Sequence, residues 1–244
     1  MNLTTIAPMV LSVVLLSSCW KDGLEPPTAG TAEGLRVRYE LHCDGRAYHA
    51  DSTYRDGFGT LVRITHVRTA LLGATLLDDE GMILGQWPDV TFPLDALMPE
   101  AALMLAGPTA GDAHYFDARL PMSSDPHAGM FDSLWVDTDT GGFLAVLDLR
   151  GTVDSNSNGR IDDDDAPFRI AVPAPSTAQN LMIHAHASIP ANGSGELRVP
   201  VNLRALLHDI DLPDQPITIG PGPYATQALN NLRTRVWGDD NKPR

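Results

Sequence analysis

An all-β fold, either an antiparallel β-sandwich or a partly open barrel with short helical pieces near the C-terminus, follows from three observations on this 244-residue sequence. Apolar residues recur at period two in many short runs. Those runs are separated by turns rich in Gly, Pro and Asp. No repeated helical pattern lies between them. The first strand is Gly34–His42, where Leu35, Val37, Tyr39 and Leu41 alternate with charged residues. Leu61–Val67 and Leu71–Leu77 read as the next two, the second closed by the turn Asp78-Asp79-Glu80-Gly81. Further strands are expected at Ala101–Ala106, Phe143–Val153, Phe168–Val172, Asn180–Ser188 and Glu196–Leu203. In Phe143–Val153, the residues Phe143, Ala145, Leu147 and Leu149 share one face. Phe168, Ile170 and Val172 do the same in the strand after it. A helical turn is expected at Arg204–His208. A helix is expected from Tyr224 to Val236, with Ala225, Leu229, Leu232 and Val236 spaced for one side. Residues 107–142, rich in Asp, Gly, Pro and His, announce no element.

Between two of these strands lies the segment Asp154 to Asp165. It places oxygen side chains at positions 1, 3, 5, 9 and 12 of a twelve-residue loop: Asp154, Asn156, Asn158, Asp162 and Asp165. Gly159 stands at position 6, where the chain turns sharply, and Arg160 at position 7 offers its backbone carbonyl. Ile161 is the apolar residue at position 8. This is the ligand spacing of an EF-hand calcium loop, with Asp165 in place of the usual Glu. The alternative is a solvated acidic hairpin tip, since Asp, Asn, Ser and Gly also make turns. Because both flanks have strand periodicity, no helix pair is available to open and close. The expected ion is therefore a structural calcium that stiffens a β-hairpin.

The N-terminus points to a compartment. Ile6–Leu16 is apolar but too short to span a bilayer, and it ends in Leu16-Ser17-Ser18-Cys19. Small residues before a cysteine resemble a bacterial lipobox, with residues 1–19 as signal peptide and Cys19 carrying the lipid. An ordinary signal peptide with a chance cysteine is the alternative. Residues 20–34 read as a flexible tether, and residues 35–244 as one β domain. Trp20 after the cysteine gives no inner-membrane retention signal. The expected location is the bacterial cell envelope, lipid-anchored, at the outer membrane or in the periplasm.

A formal charge of −14 with only 17 Lys and Arg argues against nucleic acid as a partner, because phosphate contacts need clustered cations. With Cys19 lipidated, Cys43 has no disulfide partner in the chain, and the fold must rest on its core and its metal.

Several segments then add up to a resemblance. These are Ile64 to Gly81, Met130-Phe131-Asp132-Ser133-Leu134-Trp135 with Gly142-Phe143 and the strand ending Leu149-Arg150-Gly151, Val199 to Leu207, and Pro223 to Leu232. In order, they resemble the MbnP-like copper-binding domain family of secreted or lipid-anchored bacterial β proteins. The resemblance implies a β fold over residues 35–238 and copper handling. It also implies a partner di-haem peroxidase, which in some members converts a tryptophan to kynurenine. The family's Met-aromatic-Trp-x-Trp run is reduced here to Trp135, and Ala171 stands where a histidine often occurs.

Copper ligands must be sought among the residues present. His184 and His186 are two apart on a strand, so both point to one face and can chelate one ion. The competing reading is a polar pair on a solvent face, opposite Ile183, Ala185 and Ala187. His127, with Met130 three residues on, pairs imidazole with thioether. His42 lies beside Cys43 and near His49; Cys43 is equally well read as a small core residue. His66 and His114 are candidate third ligands, and Trp135 is expected in the core. No nucleophile elbow, phosphate loop or His-Glu-x-x-His occurs, so the chain is not read as an enzyme. Three functions remain: an envelope protein handling copper with a structural calcium loop, a calcium-stiffened surface binding or adhesion module without a transition metal, and, ranked last, a hydrolase whose Ser, His and Asp are distant in sequence.

Overall fold

The computed structural model describes residues 32–43, 45–97, 102–125, 134–139 and 141–237. Its strands are β1 (Gly34–Cys43), β2 (Arg46–Ala47), β3 (Tyr54–Arg55), β4 (Leu61–Leu77), β5 (Ile83–Asp95), β6 (Ala102–Ala106) and β7 (Gly111–Leu120). They continue with β8 (Trp135–Thr138), β9 (Gly141–Val153), β10 (Ala166–Pro173), β11 (Gln179–Ile189), β12 (Ser194–Asn202) and β13 (Ile217–Ile219). A 3-10 turn occupies Leu203–Leu207, and one helix, α1, spans Pro223–Thr234. The fold is an all-β sandwich, as the alternation predicts. A four-stranded sheet is built on β12-β1-β2 with β6 beside β1, and a nine-stranded sheet on β11-β7-β4-β9-β10-β13 with β3, β5 and β8 alongside. Pairing is mostly antiparallel, but β1–β12 and β10–β13 run parallel. Among the described residues no helix is long and apolar enough to cross a membrane.

The core follows from the period-two faces. Leu35, Ile64, Phe116, Leu120, Leu149, Phe168, Ile170 and Ile183 are fully buried in one cluster. Each such side chain contributes about 1.5–3 kcal/mol by leaving water. The helix closes one part of this core with Ala225, Ala228 and Leu232. Its buried Asn231 donates from Nδ2 to the carbonyls of Leu206 and His208, tying α1 to the 3-10 turn. Pro223 begins the helix, where a missing N–H costs nothing. The helix ends before Val236, which is buried beyond it, and Leu229 is only partly buried.

Several local expectations are corrected. The two strands expected at 61–67 and 71–77 are one bent strand, β4. Its pairing with β5 shifts between Leu72 and Ala74, around Gly73 at φ +62°. Phe143 and Ala145 do not share a face with Leu147 and Leu149. Phe143 packs with Val136, Ala145 and Ala171 in a second small cluster, whereas Leu147 and Leu149 join the main core. The cause is a register shift between Val172 and Pro173, opposite Leu147 and Ala145, which reverses the face of everything beyond it. Within residues 107–142 the chain forms β7 and β8, and β5 precedes them; none of the three was expected.

Candidate metal sites

The loop from Asp154 to Asp165 is the tip of a hairpin, closed by pairing of Val153 with Ala166. Gly159 sits at φ +80° and Ser157 at φ +58°, so the sharp turn falls where glycine was required. The loop's oxygens are organised by its own backbone. Asp154 Oδ1 accepts from Asn158 N–H at 3.0 Å and Oδ2 from Gly159 N–H at 2.9 Å. Asp165 accepts from Ser155 N–H at 3.1 Å and from Asp162 N–H at 2.9 Å. Both carboxylates are buried, 5% and 9% exposed. Asn156 Oδ1 and Asn158 Oδ1 accept from the next-but-one N–H, at 3.0 Å each. Asp162 is engaged differently: its Oδ2 accepts from Asn158 Nδ2 and Arg160 Nε, both at 3.0 Å. Those hydrogen bonds, the one from Asn158 foremost, hold the Asp162 carboxyl below the usual carboxylate range. An ionised carboxylate offers about four lone-pair directions, and Asp154 and Asp165 each spend two. The donor set therefore fits a hard, oxygen-seeking cation, with Asn oxygens and the Arg160 carbonyl completing it.

The second candidate lies on β7 and β11. On β11, Ile183, Ala185 and Ala187 are buried while Met182, His184 and His186 are exposed. That is the alternation expected for two histidines on a solvent face. The partner strand carries His114, in a segment where no element was expected. Pairing between β11 and β7 shifts between His184 and Ala187. In β7 the buried residues Ala113 and Phe116 flank His114 and Tyr115, so both of the latter turn outward. The bulge sets the ring of His114 against His186, centroids 4.8 Å apart and planes at 84°. Tyr115 meets His184 in the same way, at 4.7 Å and 64°. Three imidazoles and a phenol thus share one exposed patch. Asp117, paired with Met182, borders it, and burial raises the pKa of its carboxyl. Met182, 64% exposed, adds a thioether on the same face of β11. Tyr115 and Asp117 escaped the sequence reading because no element was expected in residues 107–142, so no face could be assigned to them; the shift itself lies on β11, between His184 and Ala187. Met182 was not singled out on the sequence, although it stands on the same face of β11 as His184 and His186.

The remaining histidines lie elsewhere. His42 is on β1 in the other sheet, in register with Asn202 and Ala47. Its Nδ1 is buried without a hydrogen bond. His66 Nε2 lies 4.0 Å from Asp148 Oδ2; burial first, then Arg68, lowers the His66 pKa. His49 is exposed between β2 and β3. His127, Met130, Cys19 and the tether lie outside the described residues. Cys43 is fully buried in the core, as its core reading expects. Trp135 is not a core residue: it is 50% exposed, lies over Gly142 and donates from Nε1 to Asp137. Strand β8 is short, and only its other face, through Val136, meets the protein. Among the described residues, no group of three or more His, Cys, Asp or Glu side chains converges as a metal site. Any ion on the histidine patch must therefore begin from two imidazoles, and any ion in the hairpin must draw on amide and backbone oxygens.

Fold and sites together define an all-β sandwich with one oxygen-rich hairpin loop and one exposed histidine patch. No protein family and no curated protein matches the chain in sequence. Among solved structures it is similar to MbnP from Methylosinus trichosporium, at 11% identity and a TM-score of 0.44. The similarity covers 78% of this chain and 81% of that one. It is a likeness of structure and does not establish family membership.

Proposed function

We propose that this protein is a lipid-anchored metal-binding protein of the bacterial cell envelope that takes copper on the His114–His184–His186 patch and holds a structural calcium ion in the Asp154–Asp165 loop. The observation that carries the copper reading is the 4.8 Å approach of the His114 and His186 rings on an exposed face. Imidazole suits copper, and Cu(I) is satisfied by as few as two such ligands; the neighbouring Met182 thioether favours the same soft ion. His184 stands two residues from His186 as a further donor. His42 and His127, named with them on the sequence, are proposed only as secondary copper sites. A di-haem peroxidase remains the proposed redox partner on the strength of the sequence resemblance. The reading assigns the chain no catalytic role.

Copper content of the purified full chain, loaded anaerobically with Cu(I) and desalted, tests this. We expect about one equivalent, falling below half for His114→Ala and His186→Ala while the calcium content is unchanged. Copper retained in the double variant would remove the patch from the proposal. No copper above background, with calcium present, would instead leave a calcium-stiffened surface module.

A further inference from the structure

The segment joining β2 to β3 forms a polar cup of about 580 Å3, walled by Arg46, His49, Asp51, Ser52, Thr53 and Tyr54. That size is within the 300–1,000 Å3 range of small-molecule sites. The backbone beneath it is fixed. Tyr54 Oη accepts from His49 N–H at 2.9 Å and donates to His49 C=O at 3.2 Å. Ser52 N–H donates to the same carbonyl at 2.9 Å. Tyr48 anchors the segment to β4 by donating from Oη to the Ile64 carbonyl at 2.9 Å. Its ring stacks on Tyr54, centroids 6.3 Å apart and planes at 19°. A loop held this way has already given up most of its conformational freedom, and a ligand need not order it.

The side chains on this fixed frame are uncommitted. Arg38, Arg68, Arg119, Arg150, Arg169 and Arg198 all hold carboxylates. By contrast, among the described residues the side chains of Arg46, His49, Asp51, Ser52 and Thr53 make no hydrogen bond or ion pair. One guanidinium, one imidazole, one carboxylate and two hydroxyls therefore face a shared space. The guanidinium fork matches a carboxylate, with His49 as a second donor. Asp51, being acceptor-only when ionised, asks for hydroxyl or ammonium hydrogens, and Ser52 and Thr53 both donate and accept. With a single cation offset by Asp51, the cup suits one negative charge and not a polyanion.

We infer that this cup binds a small hydroxylated carboxylate of the sugar-acid class, using Arg46 for the carboxylate and Asp51, Ser52 and Thr53 for the hydroxyls. None of the copper or calcium ligands takes part, so the inference stands or falls apart from the proposed function. The test is a 15N-NMR titration of the full chain with D-glucuronate, with D-glucose and acetate as comparison probes. Saturable shifts at the amides of residues 45–54, with D-glucose and acetate each at least about tenfold weaker, are expected. Arg46→Ala should weaken D-glucuronate about tenfold without changing the melting temperature, and Asp51→Asn should erode the preference over acetate. Equal binding of D-glucose would remove the role of charge, and equal binding of acetate that of the hydroxyls. Absence of saturable shifts, or an Arg46→Ala variant that binds as well as the parent, would overturn the inference outright.

Discussion

Replacing Asp154 by Asn probes the hairpin loop with a change of one atom. Asp154 accepts two backbone N–H groups, one on each oxygen, from Asn158 and Gly159. An Asn amide can accept only one of them, leaving the other N–H facing an NH2 group. Without calcium this costs about 1 kcal/mol, the lower end of the range for an unsatisfied donor, because the loop is open to water beyond Asp154. The larger effect comes with the ion. A ligand at 100 times its dissociation constant stabilises the fold by about 2.7 kcal/mol. For a domain of this length each kcal/mol moves the melting temperature by about 2–4 °C, so saturating calcium should raise it by roughly 5 to 11 °C. In Asp154→Asn that increment should fall to under about 2 °C, while the calcium-free melting temperature drops by only about 2–4 °C. Differential scanning calorimetry in chelator, and then in a calcium series, separates the two terms. A parent protein unmoved by calcium, or a variant that keeps the full increment, would refute the loop as an ion site.

Two further changes test the fold around it. A Cβ at Gly151 would stand 2.0 Å from the Arg63 carbonyl oxygen and 2.6 Å from Phe168 Cε1. The first of these is backbone, so no side-chain rotation relieves it, and β4 must move from β9. Gly151→Ala should cost about 3 kcal/mol or more, read as a lowered midpoint in urea. Asp148, 2% exposed, is held by Arg150 and by Arg169, the latter at 2.9 and 3.2 Å. Burial pushes its carboxyl up, but the hydrogen bonds from the two arginines outweigh this and hold it below its ordinary value of 3.8. The stability it contributes is therefore present above pH 3.8 and is lost as pH falls below that value. Asp148→Asn should cost about 2–3 kcal/mol near neutrality, less than a fully buried pair because both arginines reach solvent. Acid unfolding curves should then be shallower for the variant; equal slopes would count against the network.

How much of this was legible in the sequence depended on whether a segment obeyed one period throughout. Strand β11 does, and its alternation placed Ile183, Ala185 and Ala187 inside and His184 and His186 outside. Strand β10 does as well, through Phe168, Ile170 and Val172. The hairpin loop was legible because calcium spacing and turn chemistry both fix residue types at fixed positions. Strand β5 was not, because Pro88 and Pro93 argue against a strand. In the fold Pro93 pairs with Ala70 on a strand that, among the described residues, ladders only with β4, where a missing N–H is tolerated. Strand β9 carries one extra residue against β10, and one extra residue reverses every later side chain. That effect misassigned Phe143, whereas the partnership of His114 with His186 was hidden because no strand was expected in residues 107–142 and the shift that sets the two rings together lies between His184 and Ala187. Trp135 was misplaced for another reason: aromatic identity predicts burial only on average, and β8 has just one face covered.

The two proposed ions ask different things of the fold, and the placement of their ligands answers accordingly. Calcium in a hairpin tip is useful only if it stays. Asp154 and Asp165 meet this need: each is buried, each has both oxygens already aligned by backbone N–H groups, and both sit where β9 and β10 converge. An ion arriving there finds its ligands ordered and, in leaving, would strand two carboxylates at low exposure. Copper on the β7–β11 patch faces the opposite situation. His184, His186 and Met182 are exposed, and among the described residues no group of three or more His, Cys, Asp or Glu side chains converges there as a closed site. An ion held by two imidazoles on an open face keeps coordination positions for an incoming ligand, so exchange can proceed without unfolding. Removing calcium should therefore lower stability while sparing copper uptake. Removing His114 and His186 should abolish uptake and leave the melting temperature in place.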